Sequence, residues 1–292
     1  MIISRKEFLG LSALAALGAG CCSCRSGSPT TVAGIRLGAQ MWSVNDIWKK
    51  DPAAAFRRLK SIGYDGVQSL AFWDLNWDEL EKMLDGEGLQ IVDMPFRMKH
   101  VETDAAFAKY LAFCQRFKIN FVYEPWSRFV TGWEWKRHAE ELRTLQEKFA
   151  PYGIRVGYHN HREELNTYFD GRTPFEYFAA AGLDFELDVG HVTCAGGGAI
   201  GMLAQLKGRV PSIHAKPGGG NSIGCAEDAT DWPTLMRAAA EAGVKWAIVE
   251  CEERRNTYQD VEDSMQFLKK LEISSSKEQT EWARNSRSAI CR

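Results

Sequence analysis

The strongest constraint on the fold of this chain is an alternation. Short apolar and β-branched runs recur at 35–41, 65–69, 89–94, 119–123, 153–158, 184–189, 210–215 and 245–250. Amphipathic stretches follow them at 52–62, 76–85, 102–116, 133–149, 174–181, 198–207, 231–242 and 257–271. The first kind of run reads as a buried strand, the second as a helix with one apolar face. Pro52, Pro174 and Pro233 come just after Asp51, Thr173 and Asp231, where a short polar side chain caps the helix and proline loses no hydrogen bond. Gly63, Gly153, Gly182 and Gly243 stand where a helix is ended before the next strand. Eight strand-plus-helix units fill 35–271, and eight such units predict a single (β/α)8 barrel of α/β class. The glycine triplets at 196–198 and 218–220 come too late for a dinucleotide-binding turn and read as flexible loops.

The two ends of the chain follow other rules. Arg5 and Lys6 precede an apolar run of 13 residues from Phe8 to Gly20, too short to span a bilayer and suited to a signal peptide. Gly18-Ala19-Gly20-Cys21 resembles a bacterial lipobox. The expected organisation is therefore a signal peptide over 1–20, cleaved before a lipid-modified Cys21, then a linker at 21–34. The barrel occupies 35–272, and a polar tail at 273–292 is expected to be disordered. Export would place the protein in the cell envelope or periplasm, touching a membrane only through that anchor. Of eight cysteines, Cys21, Cys22 and Cys24 sit at the processing site; Cys114, Cys194, Cys225, Cys251 and Cys291 are scattered, which excludes a zinc finger or a CxxC redox motif. With 36 basic against 38 acidic residues, the net charge of -2 gives no basic excess for a phosphate backbone, so no nucleic-acid partner is expected.

In a closed barrel the C-terminal ends of all strands face one mouth. Four of the six histidines, His159, His161, His191 and His214, fall at or just past the ends of strands five, six and seven. Strand five ends in Tyr158-His159-Asn160-His161 with Glu163 and Glu164 behind it. Strand six ends in Asp188-Val189-Gly190-His191, strand seven in His214-Ala215-Lys216 and strand eight in Glu250-Cys251-Glu252. One inward group from each strand gives His159, Asp188, His214 and Glu250. This mixed nitrogen and oxygen set suits a divalent Mn, Zn, Fe or Co better than Mg, which prefers oxygen alone. His161 and Glu252 share the faces of His159 and Glu250, and Glu164 competes with His159 for the fourth position. The plainer alternatives are a metal-free polar pocket, Asp188 as a helix cap and Glu250 paired with Lys216. His100 and His138 read as solvated. Trp42, Phe72, Trp73, Phe96, Trp126 and Trp232 lie near mouth loops and are candidates for a wall against a sugar ring.

Taken in order, LGAQMWSV, IGYDGVQS, GYHNHREEL, LDVGHVTCAG, IHAKP and DWPTLMRAAAEAGVKWAIVECE resemble the xylose-isomerase-like TIM barrel superfamily, in its sugar phosphate isomerase/epimerase branch. A more distant similarity is to endonuclease IV. The resemblance implies a metal held by His159, Asp188, His214 and Glu250, with His191 as a contact on the substrate or metal side. It also marks departures: epimerases of the branch carry Glu at the positions of both His159 and Glu250, the usual Lys-Asp is Lys216-Pro217, and the strand-two Glu is Gln68.

The implied activity is a divalent-metal-dependent isomerase or epimerase acting on a sugar, keto-sugar or cyclitol by proton abstraction beside a carbonyl. Glu250 would bind metal and move a proton, Glu164 or His159 would serve the opposite face, and His191 and Lys216 would hold or protonate substrate oxygens. The same enolisation supports a lyase, a dehydratase or a keto-glycoside-cleaving enzyme. The non-enzymatic alternative is an envelope carbohydrate-binding protein. Export favours an unphosphorylated carbohydrate, and a homodimer is the family-level expectation.

Overall fold

The computed structural model describes residues 30–168, 170–252 and 257–271. The segments expected to be a signal peptide with Cys21 and a disordered tail at 273–292 lie outside the described residues. The chain runs β1 (Ile35–Gln40), α1 (Pro52–Ile62), β2 (Gly66–Gln68), α2 (Trp77–Glu87), then β3 as two pieces, Gln90–Ile91 and Met94–Pro95. It continues through α3 (Asp104–Arg116), β4 (Phe121–Glu124), α4 (Gly132–Phe149), β5 (Arg155–His159), α5 (Pro174–Ala180) and β6 (Asp184–Asp188). It closes with α6 (Ala199–Gln205), β7 (Ser212–Ala215), α7 (Trp232–Ala242), β8 (Trp246–Val249) and α8 (Thr257–Lys269). Every neighbouring pair of these strands is parallel, and β8 pairs with both β7 and β1. A short strand, Thr31–Val32, folds back antiparallel on the start of β1.

The ring is a nearly closed barrel, interrupted between the two pieces of β3: the first pairs with β2, the second with β4. The interruption has a physical cause. Val92 packs inside the barrel with Trp246 and Ile248, and the adjacent Asp93 accepts hydrogen bonds from Gln68 Nε2 at 2.5 Å and Ser212 Oγ at 2.7 Å. Two consecutive side chains cannot both point inward along a regular strand.

Alternation sorts the remaining residues. Leu37, Val67, Val156, Leu187, Ile213 and Ala247 point outward and are buried in the main core with the helices. The interior floor is built around Trp246. A Cβ on Gly66 would fall 2.4 Å from Val92 Cγ2 and 2.9 Å from Trp246 Cζ3, so only glycine leaves room for the indole. Helix starts follow the sequence signals: Asp51, Thr173 and Asp231 accept N–H groups of α1, α5 and α7. Thr131 and Glu134 cap α4 reciprocally.

His100 and His138 are not solvated. His138 shares the inner face of α4 with Trp135, Ala139 and Leu142. It is buried against Glu124 of β4, with Ser127 Oγ at 3.2 Å and Glu141 at 3.2 Å. His100 is buried too, its Nδ1 accepting from the Arg97 N–H and its ring stacked on Tyr110.

Candidate active site

Strand register delivers the polar groups. Asp188 of β6 pairs with His214 of β7, and His159 of β5 pairs with Glu186 of β6. Glu250 follows β8 directly, its N–H bonded to the carbonyl of Ala215. His214 therefore stands among three acidic side chains. Its Nδ1 lies 3.2 Å from Glu250 Oε2 and 3.8 Å from Asp188 Oδ2. Its Nε2 lies 2.8 Å from Gln68 Oε1 and 3.0 Å from Glu186 Oε2. Two metal-type triads result, Asp188–His214–Glu250 and His159–Glu186–His214, in each of which the ligand atoms lie within 4.8 Å of one another.

The orientation of Asp188 is imposed by its neighbours. Its Oδ1 accepts the His191 N–H at 2.7 Å and so caps the short helix Val189–Cys194. Asn160 brackets its backbone from both sides. The other oxygen, Oδ2, is buried with no hydrogen-bond partner, as are His159 Nδ1 and Glu186 Oε2. An unsatisfied buried polar group costs about 1–3 kcal/mol. A divalent cation offsets that cost, and imidazole nitrogens beside carboxylate oxygens are a fitting donor set.

The charge balance around the triads is specific. Burial acts to raise the Glu250 carboxyl, but His214 and Lys216 hold it well below the usual carboxylate range. Burial acts to lower the Lys216 ammonium, and Glu250, Asp188 and Glu252 raise it instead. Lys216 Nζ reaches Glu252 at 2.5 Å and donates to His191 Nε2 at 3.1 Å. Burial, with Lys216 and His161 beside it, pushes His191 down to about 2, so it is a neutral acceptor. The lysine stem lies against Gly190, where a Cβ would come within 2.8 Å of Lys216 Cγ.

Above the triads opens a cavity of about 830 Å³ lined by His159, His214, Glu250, Trp42, Trp73 and Trp126. Trp42 and Trp126 are 46% and 54% exposed at the cavity rim. Phe72, Phe96 and Trp232 instead serve packing: Phe72 against Trp48 and Phe56, Phe96 against Tyr110, and Trp232 donating to Asp228.

Among the candidates, Asp188, His214 and Glu250 meet in one triad, and His159 meets His214 in the other. His191 and Lys216 form a pair beside them. Glu164 belongs to neither triad: its carboxylate accepts from the Tyr158 hydroxyl at 2.9 Å and the His161 N–H at 2.8 Å, and Tyr158 stacks on Phe178 of α5. Sequence reasoning missed Glu186, although it shares the strand face of Asp188 two residues on. It also missed Asp93 and Ser212, which no local pattern marks.

Fold and site together define a class: a (β/α)8 barrel enzyme with a metal-type cluster where the strands end. The chain belongs to the xylose isomerase-like TIM barrel family, whose profile matches residues 56–271. Similar solved structures include a sugar phosphate isomerase/epimerase from Parabacteroides distasonis, at TM-score 0.73 and 20% identity over 85% of this chain and 98% of that one. The 3-keto-D-glucoside 4-epimerase of E. coli follows at TM-score 0.61 and 16% identity, over 81% and 100%. An L-ribulose 3-epimerase matches at TM-score 0.61 and 13% identity, over 88% and 98%. No curated protein matches the chain significantly. Family membership and the triads make this an isomerase/epimerase-like enzyme with a candidate divalent-metal site.

Proposed function

We propose that the protein isomerises or epimerises a saccharide by removing the proton beside its carbonyl group. The observation that carries this reading is the Asp188–His214–Glu250 triad, with the unpartnered Asp188 Oδ2, under a tryptophan-lined cavity. Asp188, His214 and Glu250, with His159 as fourth donor, would hold a divalent ion, Mn, Zn, Fe or Co in preference to Mg because of the imidazoles. When bound, such an ion supplies positive charge against which an oxyanion beside the reacting carbon is stabilised.

The protein's own groups do the remaining work. Glu250, held ionised, accepts the proton on one face. His159 lines the cavity and serves the opposite face, whereas Glu164 is engaged by Tyr158 and His161. Lys216 donates to a substrate oxygen, with His191 fixing its ammonium group. Trp42 and Trp126 bind the ring. The names of two structural relatives, a ketose 3-epimerase and a 3-keto-glucoside 4-epimerase, describe inversion at a carbon next to a ketone, which supports this reading. The N-terminal signal adds a location: the enzyme works in the cell envelope, anchored at Cys21, on unphosphorylated carbohydrate.

The test is solvent exchange. Metal-loaded protein in deuterated water is incubated with ketoses and keto-glycosides and followed by NMR and mass spectrometry. Deuterium is expected at the carbon beside the carbonyl, and Glu250→Gln is expected to slow its incorporation at least about a hundredfold. Products that lose water or an aglycone would turn the reading to a lyase. Saccharide binding without exchange or product, with each of the four metals, would make the protein a non-catalytic binder.

A further inference from the structure

We propose that Gln68 is a positioning residue that keeps the hydrogen on His214 Nε2, so that Nδ1 is the nitrogen offered to a metal. This rests on reading the mouth as a divalent-metal centre, and it decides between the two triads that share His214. A histidine ligand uses one ring nitrogen, and the hydrogen bond made by the other selects which.

The orientation of one buried amide sets the choice. Gln68 is fully buried at the end of β2. One end of its amide faces two acids, Asp93 Oδ1 at 2.5 Å and Glu186 Oε1. An ionised carboxylate only accepts, so with Glu186 ionised beside His214 that end must be the NH2 group. The second oxygen of Asp93 accepts from Ser212 Oγ at 2.7 Å, which fixes that acid in place. The amide oxygen is thereby turned toward His214 Nε2, at 2.8 Å, and it also accepts from Gln40 Nε2. An amide oxygen cannot donate, so Nε2 must carry hydrogen to bond to it.

Nδ1, which faces Asp188 Oδ2 and Glu250 Oε2, is then the nitrogen that gives up its hydrogen to offer a lone pair when a metal binds. The metal position is the Asp188–His214–Glu250 triad. The His159–Glu186–His214 triad is closed to metal, because its histidine nitrogen is occupied by hydrogen. Glu186 Oε2, 3.0 Å from that nitrogen, reinforces the same choice by repelling a lone pair there. Glutamine is the required residue at 68. A glutamate would set a third carboxylate against Asp93 and Glu186 with no hydrogen to give them.

The experiment uses the full chain with Zn²⁺, which is diamagnetic. Long-range 1H–15N correlation spectra of histidine-labelled, zinc-loaded protein report which nitrogen is metal-bound, with His214 assigned by its loss in His214→Asn. The expected result is a protonated Nε2 and a zinc-shifted Nδ1; ligation through Nε2 overturns the proposal. In parallel, Gln68→Met, close in size but without the amide, is titrated against a chromophoric chelator. Its zinc Kd is expected to rise about ten- to a hundredfold, and a smaller rise overturns the proposal. Should Gln68→Met not fold, the wild-type spectrum still decides. If wild-type protein binds no zinc at all, the metal-centre reading itself fails; if it binds zinc normally through Nε2, only the role of Gln68 fails.

Discussion

His138 shows how a single residue can be read correctly for place and wrongly for environment. Its spacing from Trp135 and Leu142 puts it on the inner face of α4, but its partner, Glu124, comes from a different strand. Burial acts to lower its pKa, yet Glu124 and Glu141 outweigh burial and raise it. A folded-state pKa above the unfolded value means stability that is full below about 6.5 and lost as pH rises through the folded pKa. We therefore expect the stability gap between wild type and His138→Asn, from urea titrations, to be larger at pH 6 than at pH 9. A gap that widens with pH contradicts the assignment. Glu186 illustrates the converse: its position two residues before Asp188 was legible in the sequence, and its partners, Gln68 and His214, were not.

The order of elements was legible because a strand and a helix impose different periods on the same apolar residues. Caps at Asp51, Thr173 and Asp231 mark helix starts within one or two residues. The split of β3 was not legible. It depends on Asp93 reaching Gln68 and Ser212, separated from it by 25 and 119 residues. The short helix Val189–Cys194 likewise depends on the Asp188 carboxylate, whose backbone is held by Asn160 across the β5–β6 pairing. The floor of the barrel supplies a test at this scale. Because a Cβ at Gly66 meets Val92 and Trp246, Gly66→Ala is expected to cost about 1–3 kcal/mol of overpacking, read as a lower urea midpoint at unchanged slope. An unchanged midpoint would mean that Trp246 does not fill the floor as described.

Over the whole molecule, the two triads tie β5, β6, β7 and the end of β8 together through side chains that share His214. A ligand that binds only the folded state stabilises it by mass action. Zinc or manganese at a hundred times its Kd is expected to add about 2.7 kcal/mol, seen as a rise in Tm that a chelator reverses. Asp188→Asn is expected to abolish the rise, and its persistence would place the metal elsewhere. By itself the sequence determined the barrel and which strand ends carry nitrogen and oxygen donors, because periodicity and capping are local and alternation sends donors and core residues to opposite faces. Only the tertiary structure decided which donors meet: parallel register sets Asp188 beside His214 and His159 beside Glu186, Tyr158 and the His161 N–H engage the Glu164 carboxylate, and Gln68 reaches His214 from 146 residues away. Distances between side chains on different strands follow from ring closure and stagger, which no local stretch of sequence encodes.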